Sequence, residues 1–138
     1  MADLKEKSIA LLSSTAISDM TLDVPTLWDL YTVPPGMYGI IDSVIIHSNS
    51  ATLAGMNDVD FGSGAAAITP AWLNNETGIE DMTAANDWMI LRADSDEFGM
   101  IDGDDATAAN RTFGMYVVSG STGAATAVVD VFGYLVAK

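Results

Sequence analysis

The sequence has no cysteine, a single histidine, and only five basic residues, Lys5, Lys7, Arg92, Arg111 and Lys138, against nineteen Asp and Glu. Without cysteine there are no disulfides, thiol nucleophiles or zinc–thiolate sites, and redox chemistry says nothing about the compartment. A formal net charge of −14 with no basic cluster argues against nucleic-acid binding, which draws on cations to displace phosphate counterions. An anionic membrane surface would repel the chain for the same reason. The acidity itself serves solubility. Long apolar runs are also missing: none reaches the roughly 18 residues of a membrane span. The opening, 1-MADLKEKSIALLSS-14, offers only Ile9 to Leu12 as an apolar stretch, short of the about 7–15 residues of a secretory h-region, so ordinary export is not expected.

What is present is apolar and β-like. Of 138 residues 49% are hydrophobic and 17% charged, enough for one domain with a real core and too little charge for general disorder. Residues 1–20 mix charge with small polar groups, and in them only IALL suggests a short strand; they are expected to form an N-terminal arm, with residues 21–138 as a single β-domain. From 27-LWDLYTV-33 aromatic and β-branched residues cluster, and Pro34, Pro35 and Gly36 make a turn. The run 39-GIIDSVIIHS-48 alternates Ile41, Ser43, Ile45 and His47 on one face with Ile40, Asp42, Val44 and Ile46 on the other. Both faces are largely apolar, so a central strand covered on both sides is expected, by a second sheet and by a loop or neighbouring subunit. Residues 112-TFGMYVVS-119 and 125-ATAVVDVFGYLV-136, joined by 120-GSTG-123, read as a hairpin. No convincing helix appears, beyond single turns in 82–87 and 104–110. The runs add up to an all-β chain, an antiparallel β-sandwich or jelly roll of about seven to nine short strands.

The candidates for chemistry are few. His47 would have to serve any histidine mechanism, yet Ser43 and Asp42 on the same strand make no triad with it, and no G-x-S-x-G elbow occurs. The clusters 94-DSDE-97 and 102-DGDD-105 flank 98-FGMI-101 and would hold Ca²⁺ only if their carboxylates met; their spacing is not that of an EF-hand. A glycosidase needs two opposed carboxylates, and none of the nineteen acids stands out. Of the tryptophans, Trp28 and Trp88 lie in β-runs and are expected in the core, whereas Trp72, after Pro70, is the candidate for an exposed sugar-stacking ring. There is no phosphate loop. Asn75 and Asn110 begin glycosylation patterns that carry no meaning without secretion. No residue is assigned a catalytic, cofactor-binding or metal-binding role, and no cofactor is expected.

One stretch does suggest a family. The turn 34-PPG-36, the strand 39-GIIDSVIIHS-48, the loop 50-SATLAG-55 and the acidic 58-DVDFGSG-64 together resemble a segment of small structural proteins of tailed bacteriophages. The likeness runs from Leu27 to Ala67, with a weaker echo in 81-DMTAANDWMIL-91. It departs from the pattern at Met37 and Tyr38, where a basic residue is usual. The resemblance implies a jelly-roll-like, non-enzymatic virion component: a capsid decoration or cement protein on the shell surface, made in the bacterial cytoplasm. Its partners would be the major capsid protein or other virion proteins, and it would be a homo-oligomer such as a trimer, binding neither nucleic acid nor membrane. The alternatives are a tail or fibre subunit used in attachment, a carbohydrate-binding β-sandwich module and, last, a hydrolase. Under the virion reading the arm and the small-residue loops 50–55 and 63–67 would meet neighbouring subunits.

Overall fold

The computed structural model describes residues 8–21, 26–64, 71–93 and 99–138. They form nine strands: β1 (Ala10–Ile17), β2 (Thr26–Thr32), β3 (Met37–His47), β4 (Asp58–Ser63), β5 (Ala71–Glu76), β6 (Trp88–Leu91), β7 (Ile101–Asp102), β8 (Thr112–Ser119) and β9 (Ala127–Ala137). Among the described residues helical structure is confined to 3₁₀ turns at Gly78–Asp81 and Ala108–Arg111. No helix among the described residues is long and apolar enough to cross a membrane.

Two antiparallel sheets make a β-sandwich. One runs β1-β9-β3-β6, with β7 also paired to β3; the other runs β2-β8-β4-β5. The pairs β1–β9, β2–β8, β3–β6 and β4–β5 are nested, from strands at opposite ends of the described chain inward to two consecutive ones. That is one long antiparallel ribbon rolled over on itself, the winding of a jelly roll.

The expected hairpin at 112–136 is corrected by this topology. β8 and β9 follow each other in sequence but lie in different sheets. The intervening Gly- and Ser-rich segment is a crossing between layers, tied down where the Ser121 N–H donates to the Met20 carbonyl and the Met20 N–H to Ala125. A glycine-rich connection permits both a tight return and a crossing, and the demand of both apolar faces for the core decides between them.

The N-terminal arm is corrected as well. Residues 10–17 are an edge strand paired along β9 from Ala10↔Gly133 to Ile17↔Ala127, and Ile17 and Met20 are fully buried. Alternation explains it: Ser13, Thr15 and Ile17 share rows with the buried Val131, Val129 and Ala127, while Ser14 and Ala16 face outward. Residues 1–7 of the expected arm lie outside the described residues.

The core lies between the sheets. Val44, Ile46, Val129 and Val131 descend from one layer, and Val59, Phe61, Phe113, Met115 and Val117 from the other, all essentially inaccessible. Burying each such side chain contributes about 1.5–3 kcal/mol. At its centre Trp72 packs edge-on to Phe113 (centroids 5.5 Å apart, 90°) and to Phe61 (6.4 Å, 71°), and its indole N–H donates to the Ile41 carbonyl at 3.3 Å. Asn49, fully buried, fastens two loops by donating to the carbonyls of Ala51 (2.8 Å) and Ala84 (2.7 Å).

β3 is central, between β9 and β6. Its faces, however, are not those of simple alternation. The register against β9 shifts between Ile41 and Ser43, a β-bulge that sets Asp42 and Ser43 together opposite the outward Phe132, Ser43 being buried there, and returns Val44 to the inner face. Beyond it Ile46 is buried with Val44, and Ile45 and His47 turn outward, where they join Ile40 and Asp42.

Candidate functional site

The bulge in β3 sets which side chains the five-stranded sheet presents away from the core. Read across the strands, one outer row is Ala16–Val128–His47–Trp88, and the next is Ser14–Asp130–Ile45–Ile90. Further along β9, Phe132 pairs with Leu11, and Tyr134 with Ile40. This face of a sandwich ordinarily meets water and carries polar residues. Here it is mostly apolar. The outer face of the other sheet is more mixed: Leu27, Tyr116 and Asp60 share one row, and Asp29, Thr32 and Thr112 lie beyond it, with the two threonine hydroxyls 2.8 Å apart.

Exposure makes the asymmetry quantitative. The exposed large apolar side chains among the described residues are Ile9 (51%), Leu11 (53%), Trp88 (65%), Ile90 (46%) and Met100 (54%). Each lies in, or immediately before, a strand of the five-stranded sheet, and none is on the other sheet. The expectation for two tryptophans is thereby reversed: Trp88 is the exposed ring and Trp72 sits in the core. Trp28 is half-buried and packs against the core. Leu91 and Met89 supply the inward face of β6, so the alternation in WMIL was readable, but not which half of it faces the core.

The carboxylates of this face are held by donors from the same sheet. His47 Nε2 lies 2.8 Å from Asp130 Oδ2, its Nδ1 2.8 Å from Ser48 Oγ. Arg92 Nη1 reaches Asp42 Oδ2 at 3.2 Å. At the far end Lys138 donates to Asp102, and to Asp104 Oδ2 at 2.9 Å, over the Tyr38 ring. The Lys138 hydrogen bond holds both carboxyls below the usual range, helped at Asp102 by the Asp104 N–H and at Asp104 by the Gly36 N–H. The same bonds raise the Lys138 ammonium above its ordinary range.

Comparison with family models, curated proteins and solved structures finds no match. The site must be read from its own chemistry.

The Ser48–His47–Asp130 order has the members of a hydrolase relay, brought together from across 83 residues of sequence rather than from within β3. Its form is different. Ser48 is the residue next to the histidine, exposed, with φ of 54°. With Nε2–H donating to Asp130, Nδ1 accepts from Ser48, and the imidazole is held between the two partners. A relay also needs a bound acyl group and donors aimed at its oxyanion; the arrangement here fixes Asp130 instead.

The acidic turn 102–105 is likewise committed. Asp102 and Asp104 serve Lys138, and Asp105 Oδ1 accepts from the Thr107 N–H at 2.8 Å. Among the described residues no group of three or more His, Asp or Glu is placed to hold a metal; residues 94–97 lie outside them. A hollow of about 330 Å³ between Ser18, Asp19, Thr21, Ser50 and 124–126 carries no aromatic ring for a sugar. The loop 50–55 is packed within its own chain: Leu53 is buried, its N–H donates to Met82, and Ala54 accepts from Thr122. Residues 65–67 of the other small-residue loop are outside the described residues. Only Met100 among the described methionines is exposed; four others are core filling.

Proposed function

We propose that this protein is a non-enzymatic structural component of a virion, a capsid decoration protein that stabilises the shell by binding its major subunits. The observation that carries the reading is the asymmetry of the sandwich: all the exposed large apolar side chains among the described residues belong to one sheet or its immediate flanks. An extended apolar face with an acidic surround marks a surface that another protein covers. The segment that resembles phage structural proteins supports the same reading. Its turn 34–36 and strand β3 build this sheet, and its loop 50–55 and strand β4 build the layer behind it. Jelly rolls also host lectins and enzymes, so the winding alone carries no function. The carbohydrate-binding alternative loses Trp72 as its stacking ring, since Trp72 is enclosed.

The test is the copy number of the chain in purified particles, measured by quantitative mass spectrometry against the shell subunit. Copies comparable to the shell subunit are expected. A few dozen or fewer would assign the protein to tail or fibre, and absence would overturn the virion reading.

A further inference from the structure

The apolar face marks a surface that another protein covers, and the shell subunits and a second copy of this chain are distinct candidates for it. We infer that the occupant is a second copy of this chain, seated face to face about a two-fold axis that runs along the strands. This deepens the proposed function and depends on it only for its biological setting.

Shape gives the first argument. The outer face is not level from edge to edge. On the β6 side it carries Trp88 and Ile90, and in the same two rows on the β1 side it carries only Ala16 and Ser14. A two-fold axis along the strands inverts left and right while keeping each row in place. It sets Trp88 of one copy over Ala16 of the other, and Ile90 over Ser14, twice by symmetry. Ridge meets trough on both sides, the self-complementarity that an isologous interface requires.

Charge gives the second. Two copies, each at −14, repel wherever their acidic surfaces approach. On this face Asp130, Asp42 and Asp102 are already held by His47, Arg92 and Lys138 of the same chain. Each of these three carboxylates is bonded through at least one oxygen within its own chain, Asp130 Oδ1 alone being buried without a partner, so a partner copy need bring few donors of its own. A basic partner would be drawn to the acidic remainder of the surface instead.

Size gives the third. With strands of 11, 11, 8 and 4 residues, a rise of about 3.4 Å and a spacing of about 4.8 Å project roughly 500 Å², so two copies bury on the order of 1,000 Å², the threshold of a specific interface.

Sedimentation of the full chain across a concentration series tests this. The expected mass is twice 14.5 kDa. Ile90→Asp, at an exposed position, should keep the circular dichroism of the native sheet and weaken self-association by roughly a hundredfold or more, because it buries an unpaired carboxylate. Ala16→Trp should also give monomer, and the double variant Ala16→Trp with Trp88→Ala should recover the dimer by exchanging ridge and trough. A monomer at all concentrations, a trimer, or a dimer indifferent to Ile90→Asp overturns the inference. The two readings fail separately: a monomeric chain that still decorates particles refutes the dimer alone, and a dimer absent from particles refutes the virion reading alone.

Discussion

Ile17→Ala is the sharpest test of the claim that the N-terminal segment is part of the sandwich and not an arm. Ile17 is completely buried at the end of β1, opposite Ala127, and three residues on Met20 fills the core and ties the crossing between β8 and β9. Truncating a buried isoleucine to alanine costs about 2–5 kcal/mol, the transfer of the lost methyl groups plus the cavity they leave. Taking the middle of that range, about 3 kcal/mol, and roughly 4 °C per kcal/mol for a domain of this size, the melting temperature should fall by about 12 °C. Met20→Ala should cost a similar amount. Removing residues 1–20 loses both side chains and uncovers one edge of β9, which would consume most of a typical reserve of about 5–15 kcal/mol. The assay is urea unfolding followed by circular dichroism and tryptophan fluorescence, at matched concentration so that any self-association is held constant. If Ile17→Ala unfolds within 0.5 kcal/mol (about the scatter for surface sites) of the parent chain, β1 is not packed as described.

The two tryptophans should part company: Trp72→Ala is expected to cost about 3–5 kcal/mol, and Trp88→Ala at most about 0.5 kcal/mol in the isolated fold, both read by urea denaturation under monomeric conditions. His47→Ala leaves Asp130 on the sheet without its donor and should destabilise by roughly 1–3 kcal/mol, with Asp130→Ala in the same chain recovering part of the loss in a double-mutant cycle. The Lys138 cluster makes an acid-limb prediction. Its carboxylates have folded pKa values below their unfolded ones, so their contribution is complete above about pH 4 and disappears as pH falls through the lowered values. Thermal melts of Lys138→Ala should therefore lie below those of the parent at pH 6 and converge with them near pH 2; a difference that does not shrink on acidification would show that the cluster is not the cause.

The β-character, the number of strands and the centrality of β3 were legible because they rest on local alternation and turn chemistry. What was not legible has a common physical origin: it depends on where a segment goes, not on what it is. The bulge at Ser43 adds one residue to one strand, and no residue type there announces it, yet it decides that His47 and Ile45 face outward beside Ile40. Residues 120–126 have the composition of a hairpin loop and act as a crossing. Trp72 follows an irregular stretch and ends in the core; Trp88 opens an apolar run and ends at an exposed edge strand. Asp130 meets His47 only because β9 inserts beside β3. The apolar outer face could be suspected from the two apolar sides of residues 39–48, but its extent required the register of four strands at once.

The order in which the strands pair has a consequence for how the chain is made. β8 lies between β2 and β4, and β9 between β1 and β3, so one interior strand of each sheet comes from residues 112–138. During synthesis the earlier strands emerge first and can form only the pairs β4–β5, β3–β6 and β3–β7, with their remaining edges open. Closing the widest loop, from β1 to β9, waits for the last residues and carries the slow kinetics of non-local pairing. A nascent or prematurely terminated chain therefore displays unpaired edges to its neighbours on the ribosome, and in that interval its acidic side chains are what keep those edges apart.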